Sequence, residues 1–181
     1  MRYSQLKERS LPTGLLPEND FVAVAEDVRS LWNVGSIFRT ADGAGIKALY
    51  LAGITGTPPR KEIAKTSLGA EDSVPWSYVR TTTELIPHLK NAGMFILGLE
   101  YCRALPGYPD SIPLREALAE QLIPRRVCVI VGNEVTGLTA ETMSACDRLC
   151  HLPMRGLKES LNVAVAFGIA AYMLGDQRAN C

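Results

Sequence analysis

Net charge is absent from this chain, since nineteen basic residues balance nineteen acidic ones across 181 positions. No global field draws it onto nucleic acid, so any such binding must come from a local basic patch. Long hydrophobic runs are missing too. No uninterrupted apolar stretch reaches the roughly 20 residues that span a bilayer. The N-terminal MRYSQLKERSLPTG has charges but neither an apolar h-region nor a small-residue cleavage site. A cytoplasmic protein is expected. Histidine is scarce: His88 and His151 are the two present, and neither lies in a nucleophile motif, which disfavours a Ser-His-Asp hydrolase. The five cysteines, at 102, 128, 146, 150 and 181, lack paired metal-ligand spacing, and reduced, mostly packed thiols are expected. Cys146, Cys150 and His151 form the tightest group, but it lacks a fourth ligand, so no metal site is expected.

What is present is apolar and periodic. With 47% hydrophobic residues and no compositional break, residues 1–181 are expected to form one domain with a substantial core. Short apolar runs (FVAVA at 21–25, KALYLAG at 47–53, MFILGLE at 94–100, RVCVIVG at 126–132, RLCHLP at 148–153) alternate with segments of helical period. Strand, helix, strand repeated in this way predicts an α/β fold, a mostly parallel sheet with helices on both faces. TGTPPRKE (55–62) and ALPGYPDSIP (104–113) are expected to be surface loops. The final segment, Ser160 to Gly175, is apolar nearly all the way round. A helix of that kind needs cover on two sides, and a second copy of the chain is one source of it, a packed monomeric core the other.

In an open parallel sheet the residues that follow the strands line the binding crevice. Three such stretches stand out. NVGSIFRTADGAG (33–45) has Asn33 placed to cap a helix, Gly43 and Gly45 to end it, and Arg39 nearly two turns in. VIVGNEVTGLT (129–139) has nearly the glycine spacing of a phosphate-binding loop, but Leu138 stands where that loop needs lysine. Glu134 adds a negative charge, so a triphosphate would be repelled. The glycines still permit tight turns around something flat or uncharged. MRGLKESLNVAVA, from Met154, offers Ser160 or Asn162 to cap or enter the last helix, with Arg155 and Lys158 beside the entry.

In this order and at these separations the three stretches resemble the signature motifs of the SpoU/TrmH family of RNA ribose 2′-O-methyltransferases, in the SPOUT superfamily. Asn33, Arg39 and Gly45 match the first, Gly132, Asn133, Glu134, Gly137 and Leu138 the second, and LPMRGLKESLNVAVA (152–166) the third. The resemblance runs from about Phe21 to the C-terminus. It implies a C-terminal trefoil knot, a homodimer with the active site near the interface, and S-adenosylmethionine as methyl donor. It also implies a cofactor pocket built largely by backbone groups of Leu99, Gly132, Leu152 and Leu161. Asn33, Arg39, Ser160 and Asn162 match the positions at the RNA site and reacting ribose, with Glu134 organising pocket and interface. The first twenty residues are too short for the separate RNA-binding domain that many relatives carry.

The implied reaction is methylation of a ribose 2′-hydroxyl in transfer or ribosomal RNA. Arg39 is the family's candidate for activating that hydroxyl, but a guanidinium with a pKa above about 12 is a poor base. Orienting the hydroxyl and the adjacent phosphate suits it better. RNA contacts are expected from Arg60, Lys61 and Lys65 after the second strand and from Arg155, with no membrane partner. Two competitors remain at this level. One is a catalytically silent RNA-binding protein of the same fold. The other is a nicotinamide-dependent oxidoreductase, which would need G-x-G-x-x-G after the first strand, where DVRSLWNVG stands.

Overall fold

The six residues Phe21–Glu26 form β1, buried along its whole length. A central parallel strand is covered on both faces, so its sequence reads as a continuous apolar run. The computed structural model describes residues 20–102 and 110–179. After β1 come α1 (Leu31–Gly43), β2 (Ala48–Ala52), α2 (Lys61–Ser67), α3 (Ala70–Ser73) and β3 (Trp76–Val79). They are followed by α4 (Thr82–Asn91), β4 (Phe95–Leu99), β5 (Ile112–Pro113) and α5 (Leu114–Ala119). The chain continues through β6 (Val127–Val131), α6 (Ala140–Ala145), β7 (Arg148–His151) and α7 (Val163–Ala179).

All strand pairs are parallel, in the order β3-β2-β1-β6-β4-β7-β5. β1 runs beside β2, from Val22 opposite Ala48 to Glu26 opposite Ala52, and beside β6, from Phe21 opposite Val127 to Ala25 opposite Val131. One buried cluster joins Ile37, Phe38, Leu49, Val129 and Phe167; a second, carried by the alternate strand residues, joins Tyr50, Leu89, Ile96 and Ile130. The α/β class, the parallel sheet and the five long strands agree with the sequence pattern. No helix among the described residues is long and apolar enough to cross a membrane.

Several local expectations need correction. β3 was not visible as a strand, because WSYV is half exposed at the sheet edge and includes a polar serine. Within ALPGYPDSIP, Ile112 and Pro113 form the short edge strand β5, while residues 104–109 lie outside the described residues. Helix α2 already begins at Lys61, inside the stretch expected to be loop. Asn33 does not cap α1. Ser30 does, accepting a hydrogen bond from the Asn33 amide at 3.4 Å, which places Asn33 in the first turn with its side chain released for other partners. Gly43 is the last helical residue and Gly45 takes the left-handed turn at φ 73°. The expectations for residues 1–19 and for Cys181 lie outside the described residues.

Helix α7 buries Phe167, Ala170, Ala171 and Leu174 against the sheet. Val165, Ile169 and Tyr172, spaced at i, i+4 and i+7, stay 41–52% exposed and form an apolar stripe on the opposite side. The other cysteines, 102, 128, 146 and 150, are buried thiols. Burial pushes Cys146 up to about 12 and Cys150 up to about 11, so both are protonated and inert at neutral pH.

Candidate active site

The stretch after β6 folds back on itself. The amide of Asn133 donates to the Gly137 carbonyl at 3.1 Å, and the Gly137 amide returns the bond at 3.0 Å. Gly137 takes φ 69°, and a Cβ on Gly132 would lie 2.4 Å from the Gly137 carbonyl carbon, so the turn closes only with glycine at both ends. Inside it, Asn133 Oδ1 accepts from the amides of Val135 (2.8 Å) and Thr136 (3.1 Å). Glu100 Oε2 accepts from the Leu138 amide at 3.0 Å, and Glu26 Oε1 from the Thr139 amide at 2.9 Å. Every one of these N–H groups is committed within the protein. A phosphate cradle needs such groups open, so the backbone excludes a phosphate-binding loop independently of the missing lysine.

Glu134 points from this turn to the start of α1. Its carboxylate accepts from the amides of Arg29 and Ser30 and from Asn33 Nδ2, each at 2.9 Å. Asn33 Oδ1 in turn accepts from Asn162 Nδ2 at 3.1 Å, and Asn162 Oδ1 caps α7 by accepting from the amides of Ala164 (2.9 Å) and Val165 (3.3 Å). One chain of side-chain hydrogen bonds thus joins all three motifs. Partial burial raises the Glu134 pKa, but the donors at Arg29, Ser30 and Asn33 outweigh it and hold the carboxyl below its ordinary range.

Beside this chain lies a cleft with a cavity volume of about 190 Å³. Leu99, Gly132, Leu152 and Leu161, the four expected cofactor residues, all line it, together with Glu134 and Ser160. Arg39 does not. It stands exposed on α1, and its side chain makes no hydrogen bond or ion pair among the described residues. Arg60 precedes α2, and Lys61 and Lys65 lie on that helix rather than in the loop, with the Lys65 ammonium 5.4 Å from the Trp32 ring centre. Arg155 is exposed beside Met154, which lines the cleft.

Sequence reasoning missed part of the wall. Glu100, Tyr101, His151 and Glu159 also line the cleft. His151 Nδ1 is 3.0 Å from Ser111 Oγ, and its ring meets Tyr101 edge to face at 5.0 Å. Burial lowers the His151 pKa, against the opposing charge of Glu116, so the imidazole is neutral at pH 7. Glu26, only 3% exposed, binds both the Thr139 amide and the Thr142 hydroxyl (2.6 Å). A lone acid at the end of an apolar strand, as in FVAVAE and FILGLE, was the available signal. Among the described residues the cleft has three carboxylates, at 100, 134 and 159, and no lysine or arginine.

Replacing Glu134 with Gln should destabilise the protein by about 1–3 kcal/mol at neutral pH, the scale of hydrogen bonds to a charged acceptor. Because the folded-state pKa is depressed, this contribution is full above the unfolded carboxyl value and disappears as pH falls through the folded one. Urea unfolding of both proteins at pH 7 and under acid conditions measures it. A gap that persists unchanged in acid would count against the carboxylate.

The SpoU rRNA Methylase family model matches residues 20–172. The chain is 27% identical over 175 residues to the 23S rRNA (guanosine-2′-O-)-methyltransferase RlmB of Coxiella burnetii, covering 97% of this chain and 63% of that protein. It is 29% identical over 161 residues to the tRNA (guanosine(18)-2′-O)-methyltransferase of Escherichia coli, covering 89% of this chain and 65% of the relative. It thus spans less than two thirds of the length of either. Among solved structures, an AdoMet-bound rRNA methyltransferase from Sinorhizobium meliloti superposes with a TM-score of 0.77 at 29% identity, over 95% of this chain and 61% of the other. With the match covering all three hydrogen-bonded motifs, the chain belongs to the SpoU rRNA Methylase family.

Proposed function

We propose that the protein transfers a methyl group from S-adenosylmethionine to a ribose 2′-hydroxyl of transfer or ribosomal RNA, in the cytoplasm. The observation that carries this reading is the Glu134, Asn33, Asn162 chain, which ties the three motifs to one cleft wall. The wall suits the cofactor. Three carboxylates and a neutral histidine favour a ligand bearing a sulfonium and an ammonium, and the apolar Leu99, Leu152 and Leu161 suit an adenine face. The RNA-modifying relatives support the substrate class.

When bound, the cofactor supplies an electrophilic methyl group. Leu99, Gly132, Leu152 and Leu161 would hold it, largely through backbone groups. Asn33, Ser160 and Asn162 would position the ribose from the cleft rim. Arg39 would orient the hydroxyl and bind the neighbouring phosphate, which accepts the proton, since a guanidinium is a poor base. Holding the reactants in line supplies several kcal/mol of the barrier.

Arg39 lies outside its own chain's cleft, so this reading includes a homodimer that brings Arg39 of one copy to the pocket of the other. Two observations favour it: the exposed stripe of Val165, Ile169 and Tyr172, and the packing of α7 beside α1, where a Cβ on Gly168 would touch Thr40 at 3.7 Å. The reading also takes residues 1–181 as a single SPOUT domain with a C-terminal trefoil knot. The insertion of β6 between β1 and β4, and of β7 between β4 and β5, supports a threaded path for the chain.

Labelled methyl transfer to bulk tRNA and rRNA tests the activity directly. RNA binding without transfer would favour the silent alternative. S-adenosylhomocysteine should raise the melting temperature and NAD should not. Arg39→Ala should lower transfer by roughly 100-fold or more, the scale of a misplaced reactant, with cofactor affinity nearly intact. Unchanged turnover would remove Arg39 from the mechanism. Light scattering should give the mass of a dimer, and Ile169→Glu should give a monomer.

A further inference from the structure

Trp32 is 47% exposed, on the first turn of α1, next to the Asn33 that joins the motifs. An aromatic ring held at the surface presents a large, flat face to a partner. The second tryptophan is treated differently: Trp76 packs edge to face on Phe38, with ring centres 6.4 Å apart. The setting of Trp32 is rigid. Thr66 Oγ1 and Ser36 Oγ both donate to its carbonyl at 3.0 Å, and Gly35 lets α1 approach α2 so closely that a Cβ there would lie 2.4 Å from the Ile63 carbonyl oxygen. That approach sets the Lys65 ammonium 5.4 Å from the ring centre. Arg29, three residues before Trp32, and Arg60 and Lys61 at the start of α2 are exposed, with Glu62 the one acid between Arg60 and Lys65.

We propose that Trp32 is a stacking platform for an unpaired base of the substrate RNA, with Lys65, Arg60 and Lys61 holding the phosphates beside it. This rests on the proposed RNA methylation and narrows its substrate. Arg39 lies seven residues further along α1. At about 100° per residue it returns to within about 20° of the Trp32 direction, about 10.5 Å along the helix axis. A base stacked on Trp32 therefore lies beside the ribose that Arg39 handles. Stacking of this kind accepts any base but requires it to be out of a duplex. The target nucleotide accordingly belongs to a loop or single-stranded segment.

The test uses the full chain, a fluorescent single-stranded RNA oligonucleotide, and the same oligonucleotide annealed into a duplex. Trp32→Ala should weaken single-strand binding roughly 5- to 150-fold. Duplex binding, S-adenosylhomocysteine affinity and molar mass should stay unchanged. Trp32→Phe should restore most of the loss. Affinity for both oligonucleotides should fall with salt, because the phosphate contacts are ionic. Wild-type single-strand affinity in Trp32→Ala, or an equal loss on duplex and single strand, overturns the platform alone. A fall in molar mass would instead assign Trp32 to the contact between copies. If the unaltered protein binds neither RNA nor S-adenosylhomocysteine, the underlying function falls and the platform with it.

Discussion

A single carboxylate holds the candidate site together. Glu134 accepts three hydrogen bonds from residues about a hundred positions earlier, two of them backbone amides at the opening of α1. A helix N-terminus leaves its first amides without partners and carries partial positive charge, so a carboxylate there is held by both effects. The turn after β6 and the start of α1 thus become one body. Asn33, freed from capping by Ser30, passes the connection to Asn162 and the last helix.

The same group bears on the character of the cleft. Carboxylates usually make a pocket repel anions, but those of Glu100 and Glu134 are engaged with backbone amides and, for Glu134, with the Asn33 side-chain amide. They act first as substitutes for backbone partners. Their charge then shapes the cleft as a secondary effect, biasing it toward a cationic or neutral occupant. The basic residues Arg39, Arg60, Lys61 and Lys65 lie elsewhere, on α1 and at α2, so the acidic cleft and the basic residues occupy different parts of the surface.

Much of this was legible in the sequence. β1, β2, β4, β6 and β7 are covered on both faces, which forces apolar runs that stand out, whereas the exposed edge strand β3 leaves no such mark. That Leu99, Gly132, Leu152 and Leu161 line one cleft was implied by the family resemblance and not by any local pattern. The partners of Glu134 could not be placed, since nothing local to GNEVTGL points to Arg29 or Ser30. Asn33 was misassigned because asparagine and serine are both good caps and local sequence does not say which one tertiary contacts will take. That Arg39 lies outside its own cleft depends on how α1 docks against its neighbours, which local sequence does not show.

The strand order has a consequence for how the molecule is made. β1 and β4 are separated by β6, so the centre of the sheet is incomplete until Val127–Val131 has been synthesised and inserted between them. Until then β1 and β4 each present an unpaired apolar edge, and no early stopping point offers a finished sheet. Contacts of such long sequence separation make folding slow and expose those edges to aggregation. β6, which closes the centre of the sheet, also carries the turn bearing Glu134, so that turn meets its partners at the start of α1 only once the strand is in place.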